Sequence, residues 1–160
     1  MFLLGKGFLV LTSEPTGPDA PEREDLTDDA IPPLLVDFYD TIAADPLLAP
    51  YFAHVDMREH IPRIADFWST IIFHSGRYTG NAFRPHLAMP GLTGAHFARW
   101  VGTLERTVDA RVVGPRAEAM KALGHRIAYS MQVRLGLQPF EPYPSAEAFA
   151  GAVPLGRKEP

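Results

Sequence analysis

The stretch Phe83-Arg84-Pro85-His86-Leu87-Ala88-Met89-Pro90-Gly91-Leu92 sets a single histidine between two prolines. Pro85 and Pro90 fix their own φ angles and lack a backbone donor, so no long regular helix runs through it. His86 is therefore expected on a short, stiff turn of chain that fixes where its ring points. A histidine mounted in this way is either an axial ligand to a metal or a side chain that fills a corner. Taken alone, the stretch favours the corner, and the flanking segments have to decide.

Both flanks read as helical. Upstream, His60, Ile61, Ile64, Phe67, Trp68, Ile71 and Ile72 recur at the three-and-four spacing of one helix face. Asp56 with Glu59 three residues on suits the start of that helix, where carboxylates meet the positive end of the dipole. Pro62 removes one donor early in it, and Gly76 to Asn81 breaks it into a loop. Further back, Leu35, Phe38, Tyr39 and Ile42 form the face of a helix over Pro32 to Ala44, which Asp45-Pro46 ends. Leu47, Leu48, Tyr51 and Phe52 then read as a short apolar connection. Downstream, Thr93 suits an N-cap ahead of Phe97, Trp100, Val101, Leu104 and Val108. A last helix from about Pro115 to Leu135 carries Met120, Leu123, Gly124, Ile127 and Met131 inward, and Gly136 closes it. No run of β-branched residues alternates with polar ones, and no internal repeat is present. The fold class is all-α.

The ends differ from the middle. Met1 to Thr12 is apolar, but Lys6 interrupts it and Glu14, Pro15, Gly17 and Pro18 follow where a cleavage site would stand, so a working signal peptide is not expected. Residues 1–30 read as a flexible leader, 31–136 as the domain, and 137–160, with Pro139, Pro142, Pro144 and Pro154, as a loose tail. A chain of 160 residues with 46% hydrophobic content supports one core. A net charge of -4 with scattered Lys and Arg provides no basic field for nucleic acid. Without cysteine there is no disulfide, thiolate zinc site, iron–sulfur cluster or cysteine nucleophile. No stretch of about 18 apolar residues is present to span a membrane, and a cytoplasmic protein is expected.

Three of the four buried faces carry one large side chain with a polar tip: Tyr39, His60 and Trp100. A buried hydroxyl, imidazole or indole left without a partner costs roughly 1 to 3 kcal/mol, so these groups either satisfy one another or point at a ligand. A stiffly held histidine facing an apolar cavity with donors on its far wall is how a haem pocket is built.

Here the pieces form a set. Phe38-Tyr39-Asp40, Pro50-Tyr51-Phe52, His60 with Ile64 and Phe67-Trp68, Pro85-His86-Leu87, and Phe97 to Trp100 together resemble the group III truncated haemoglobins in order and spacing. The resemblance spans Ile31 to Gly136, about two thirds of the chain. No piece is specific alone; the set is, and the paired-glycine motifs of the other truncated groups are missing, as in group III. The resemblance implies a shortened globin fold, two helices over two, with haem b between them. It implies His86 as the proximal iron ligand and Tyr39, His60 and Trp100 as the polar distal cluster. It further implies that Phe52, Ile64, Phe97 and Trp100 line the haem, Phe52 near the first bend and Ile64 one turn beyond His60.

Such a site is expected to bind oxygen, nitric oxide or carbon monoxide reversibly at five-coordinate iron, with electrons from an unknown reductase, in a monomer or weak homodimer. Tyr39 is the expected direct donor. Trp100 only donates, and His60 gates or supplies protons. The alternative is a haem peroxidase-like enzyme, since donors near the far oxygen of peroxide assist its cleavage; nitric oxide dioxygenation is a further enzymatic possibility. Arg84, beside the ligand turn, is a candidate partner for a haem propionate, with Arg63 and Tyr78 weaker ones. A zinc or iron site built from His54, His60, His74, His86 and His96 matches no local motif. His54, His74, His96 and His125 read as solvent-facing or capping residues.

Overall fold

Two prolines start the first long helix. In the computed structural model, which describes residues 23–139, Pro32 and Pro33 occupy the opening positions of α1, Ile31–Ala44, where a missing N–H costs nothing. Ile31, Leu34, Leu35, Phe38, Tyr39 and Ile42 are its buried face. Asp45 turns to extended backbone at its end, and its carboxylate accepts from Leu47 N at 2.9 Å and Leu48 N at 3.2 Å. The apolar connection after Asp45 contains a helix of its own, α2, Ala49–Phe52. Pro50 at its start favours that turn, which apolar spacing over so few residues does not reveal.

The third helix, α3, spans Met57–Phe73, and Asp56 caps it by accepting from Arg58 N at 2.9 Å. Pro62 sits inside it without ending it. The helix stops ahead of Gly76, because His74 adopts the left-handed conformation at φ 57°. Arg77 then clamps the loop, reaching both oxygens of Asp28 at 2.9 and 3.0 Å and Asp66 at 2.9 Å. His86 lies in a 3₁₀ helix, Arg84–Ala88, the short stiff turn its prolines require. Helix α4, Gly94–Arg111, starts at Thr93, and α5, Pro115–Arg134, follows Gly114.

α1 packs on α3 and α4, α4 on α5, and α3 on α5, which makes the two-over-two arrangement. Among the described residues there is no strand. Phe38, Trp68, Leu104, Val108 and Met120 are among the buried side chains of the main core, each contributing about 1.5 to 3 kcal/mol. Gly124 lets α4 and α5 close together: a Cβ there would lie 2.5 Å from Leu104 Cδ2.

The fold also reaches back past Ile31. Leu26 is fully buried, and a 3₁₀ helix covers Asp28–Ala30. Asp25 Oδ1 accepts from Arg116 N and Ala117 N at 3.0 Å each, capping α5 from the far end of the chain. Burial opposes its charge, yet these N–H groups, with Leu26 N–H and Arg116, hold its carboxyl below the usual carboxylate range. The signal-like start, the rest of the leader up to residue 22 and the prolines Pro142, Pro144 and Pro154 lie outside the described residues.

Candidate functional site

A second, smaller core cluster surrounds Phe97, Val101, Ala128 and Met131. Side chains from both clusters line a cavity of about 330 Å³, within the usual range for small-molecule sites. Tyr39, Phe52, His60, Ile64, His86, Phe97 and Trp100 all line it. Seven residues singled out in the sequence thus meet at one place, although they come from five segments of chain.

The chemistry of His86 follows from one hydrogen bond. Its Nδ1 lies 2.9 Å from the carbonyl oxygen of Ala82. A carbonyl only accepts, so the proton is on Nδ1 and the lone pair of Nε2 is left over, the form in which histidine ligates a metal. Burial lowers the pKa of His86, against the opposing effect of the bond to Ala82, and this keeps the ring neutral.

Tyr39 and His60 form a pair, with Tyr39 Oη 2.9 Å from His60 Nε2 and the rings edge to face at 5.0 Å. Burial pushes the Tyr39 phenol well above its ordinary pKa, so it stays an O–H. His60 is held neutral, by burial first and then by the charge of Arg63. In a neutral ring the tautomer decides who donates. If Nε2–H of His60 donates to Tyr39, the tyrosine hydrogen is free to turn to a guest. Trp100 packs edge to face on Phe38 at 5.7 Å, and its indole makes no hydrogen bond among the described residues.

Arg84 is exposed and stands outside the residues that line the cavity, whereas Arg63 and Tyr78 are among them. A 3₁₀ turn sends neighbouring side chains in different directions, which is why Arg84 and His86 part. His54 and His74 are exposed, and His125 reaches Glu105 Oε1 at 2.7 Å. His96 caps α4, its Nδ1 accepting from Thr93 N at 3.1 Å, and lines the cavity as well. That second role, and the places of Tyr51, Met89 and Leu92 on the lining, do not follow from the sequence pattern; the histidine three residues after an N-cap threonine is the signal for the cap. No three His, Asp or Glu side chains among the described residues cluster as a metal site would.

No family model matches the chain. It is 25% identical over 92 residues to the group 3 truncated hemoglobin ctb of Campylobacter jejuni, covering 54% of this chain and 72% of that protein. The crystal structure of the group III truncated hemoglobin from the same organism superposes with a TM-score of 0.64 at 22% identity, over 70% of this chain and 93% of that one. The fold is a truncated-haemoglobin fold. The sequence resemblance to group III is found in both comparisons. Within that fold, α1 packs on α3 and α4 on α5, and the cavity takes side chains from both pairs.

Proposed function

We propose that this protein binds haem b in the cavity, with His86 as iron ligand, and holds a diatomic gas beside Tyr39, His60 and Trp100. One observation carries this: the bond from His86 Nδ1 to Ala82, which leaves Nε2 as a metal ligand inside an apolar cavity. The residues present fit the group. His86 belongs to no cluster of three His, Asp or Glu side chains among the described residues, which suits a metal whose other ligands come from a macrocycle, and the lining is mostly apolar and aromatic. Arg63, a cation on the lining itself, joins Arg84 as a candidate partner for a haem propionate.

Bound haem supplies an iron with one position for the imidazole and one for a gas. The chain's own residues determine how that gas is treated. His60 spends Nε2 on Tyr39, which favours a five-coordinate resting site. Tyr39 O–H and Trp100 N–H then stabilise a partly anionic guest, more strongly than in water because the apolar lining excludes solvent. Oxygen is the first expectation, with nitric oxide and carbon monoxide alongside, in a cytoplasmic monomer or weak dimer served by an unidentified reductase.

A neutral His60 also favours a second role. In the tautomer whose Nε2 accepts from Tyr39, neutral His60 is able to take the first proton of hydrogen peroxide through the Tyr39 hydroxyl, the step a peroxidase-like enzyme requires. Turnover of a phenolic donor with peroxide, far above free haem and lost in His60→Leu, would support that activity.

The decisive experiment is a visible spectrum of the purified protein after haem addition. A Soret band that His86→Ala abolishes or weakens severely is expected, and a protein that takes up no haem sinks the proposal.

A further inference from the structure

The segment that carries His86 packs at its ends, through Phe83 and Leu92, on the second core cluster, but its middle is held by little. Its 3₁₀ helix buries no residue, and Leu87 is 58% exposed. Most of its hydrogen bonds are local: His86 N–H to Phe83 O at 3.0 Å and Met89 N–H to His86 O at 3.2 Å, with His86 Nδ1 to Ala82 O. Such bonds maintain the shape of the turn. They do not hold it in place against the helices.

Among the described residues, one hydrogen bond ties residues 84–92 to a distant element. The hydroxyl of Tyr51, in α2, donates to the Pro90 carbonyl at 3.0 Å across 39 positions of sequence. The Tyr51 ring also meets His96 edge to face at 5.2 Å, and His96 is fastened to Thr93. Gly91 follows at φ 78°, where a Cβ would come within 3.5 Å of the Tyr51 hydroxyl. Tyr51, Met89, Leu92 and His96 all line the cavity.

We propose that Tyr51 is a positioning residue that acts through His86: its bond to Pro90 clasps the His86 segment to α2 and sets the reach of the imidazole. Pro85 and Pro90 stiffen the segment, so a tether at one end steadies its whole length. The occupant's identity rests on the haem proposal above; the clasp does not.

Tyr51→Phe keeps the ring against His96 and removes only the hydroxyl. The test is made on the full chain, first without haem. Amide exchange at Met89 is expected to rise about fivefold, the effect of one lost hydrogen bond, and the Nδ1–H resonance of His86 to broaden or vanish. Amides in α1 and α4 should keep their rates, which a general loss of stability would not allow. With haem bound, transfer to an excess of a haem-scavenging globin should quicken by a similar factor. Unchanged Met89 exchange together with an unchanged His86 resonance overturns the clasp. Altered exchange in a chain that takes up no haem supports the clasp and overturns the haem proposal instead.

Discussion

The cavity has two kinds of wall. Tyr39, His60 and Trp100 stand on helices of 14, 17 and 18 residues whose apolar faces pack into the main core. His86 stands on a 3₁₀ helix of 5 residues with nothing buried. The first wall is positioned by area removed from water, the second by two prolines, the packing of Phe83 and Leu92 at its ends and one long-range hydrogen bond. On the proposed reading, the polar groups aimed at a guest thus sit on the wall packed into the main core, and the candidate ligand histidine sits on the wall with nothing buried.

The largest test of this contrast is a pair of truncations. Phe38→Ala, beneath Tyr39 and Trp100, is expected to cost about 3 to 5 kcal/mol in denaturant unfolding, whereas Leu87→Ala beside His86 should stay within about 0.5 kcal/mol. Comparable losses would dissolve the distinction. Next in size is the double change of Tyr39 and Trp100 to Phe, which removes both donors. If they hold the guest, oxygen dissociation measured by stopped flow should quicken by about tenfold to a hundredfold, the worth of one or two hydrogen bonds to a charged acceptor. No increase would leave the polar wall without a role in binding.

Acid should act on both walls. The pKa of His60 and of His86 is lowered from the ordinary 6.5 by burial, so the unfolded chain binds protons that the folded chain refuses. Stability from this source is present above pH 6.5 and lost as pH falls through the lower folded values. Thermal melts of the haem-free protein should therefore show a falling Tm from about pH 7 to pH 5, flattened in His60→Leu and in His86→Leu. A profile that neither change flattens would place the acid sensitivity elsewhere. The smallest effect concerns the loop between the walls. His74 holds a left-handed conformation at φ 57°, and His74→Gly is expected to stabilise by about 1 kcal/mol in the same unfolding assay. A loss would mean that the imidazole makes a contact worth more than the strain.

Much of the rigid wall was legible in the sequence. The spacing of Phe38, Tyr39 and Ile42, or of Ile64, Trp68 and Ile71, follows the helical period, and period alone tells which side faces in. The weaker wall was legible only in part. Two prolines marked a stiff turn at His86, but nothing local showed that Arg84 would stand away from the cavity, or that Tyr51 would reach Pro90. The start of the fold was hidden for a similar reason: Leu26 and Asp25 lie in a stretch rich in Pro, Asp and Glu, and their partners, Arg116 and Ala117, are some ninety positions away.

From the sequence by itself came the helices, their inward faces, the candidate ligand histidine and the three polar tips, because each depends on residues within a few turns of one another. Tertiary structure alone decided that Tyr39 and His60 share a hydrogen bond, that Ala82 leaves Nε2 of His86 available, and that Arg63 rather than Arg84 meets the cavity. These depend on where separate elements come to rest or on how a short turn aims its side chains, and helical periodicity carries no information about either. For Phe83 to Leu92 the division is sharp. Its prolines dictated the turn, and a tyrosine on another helix determines where that turn is held.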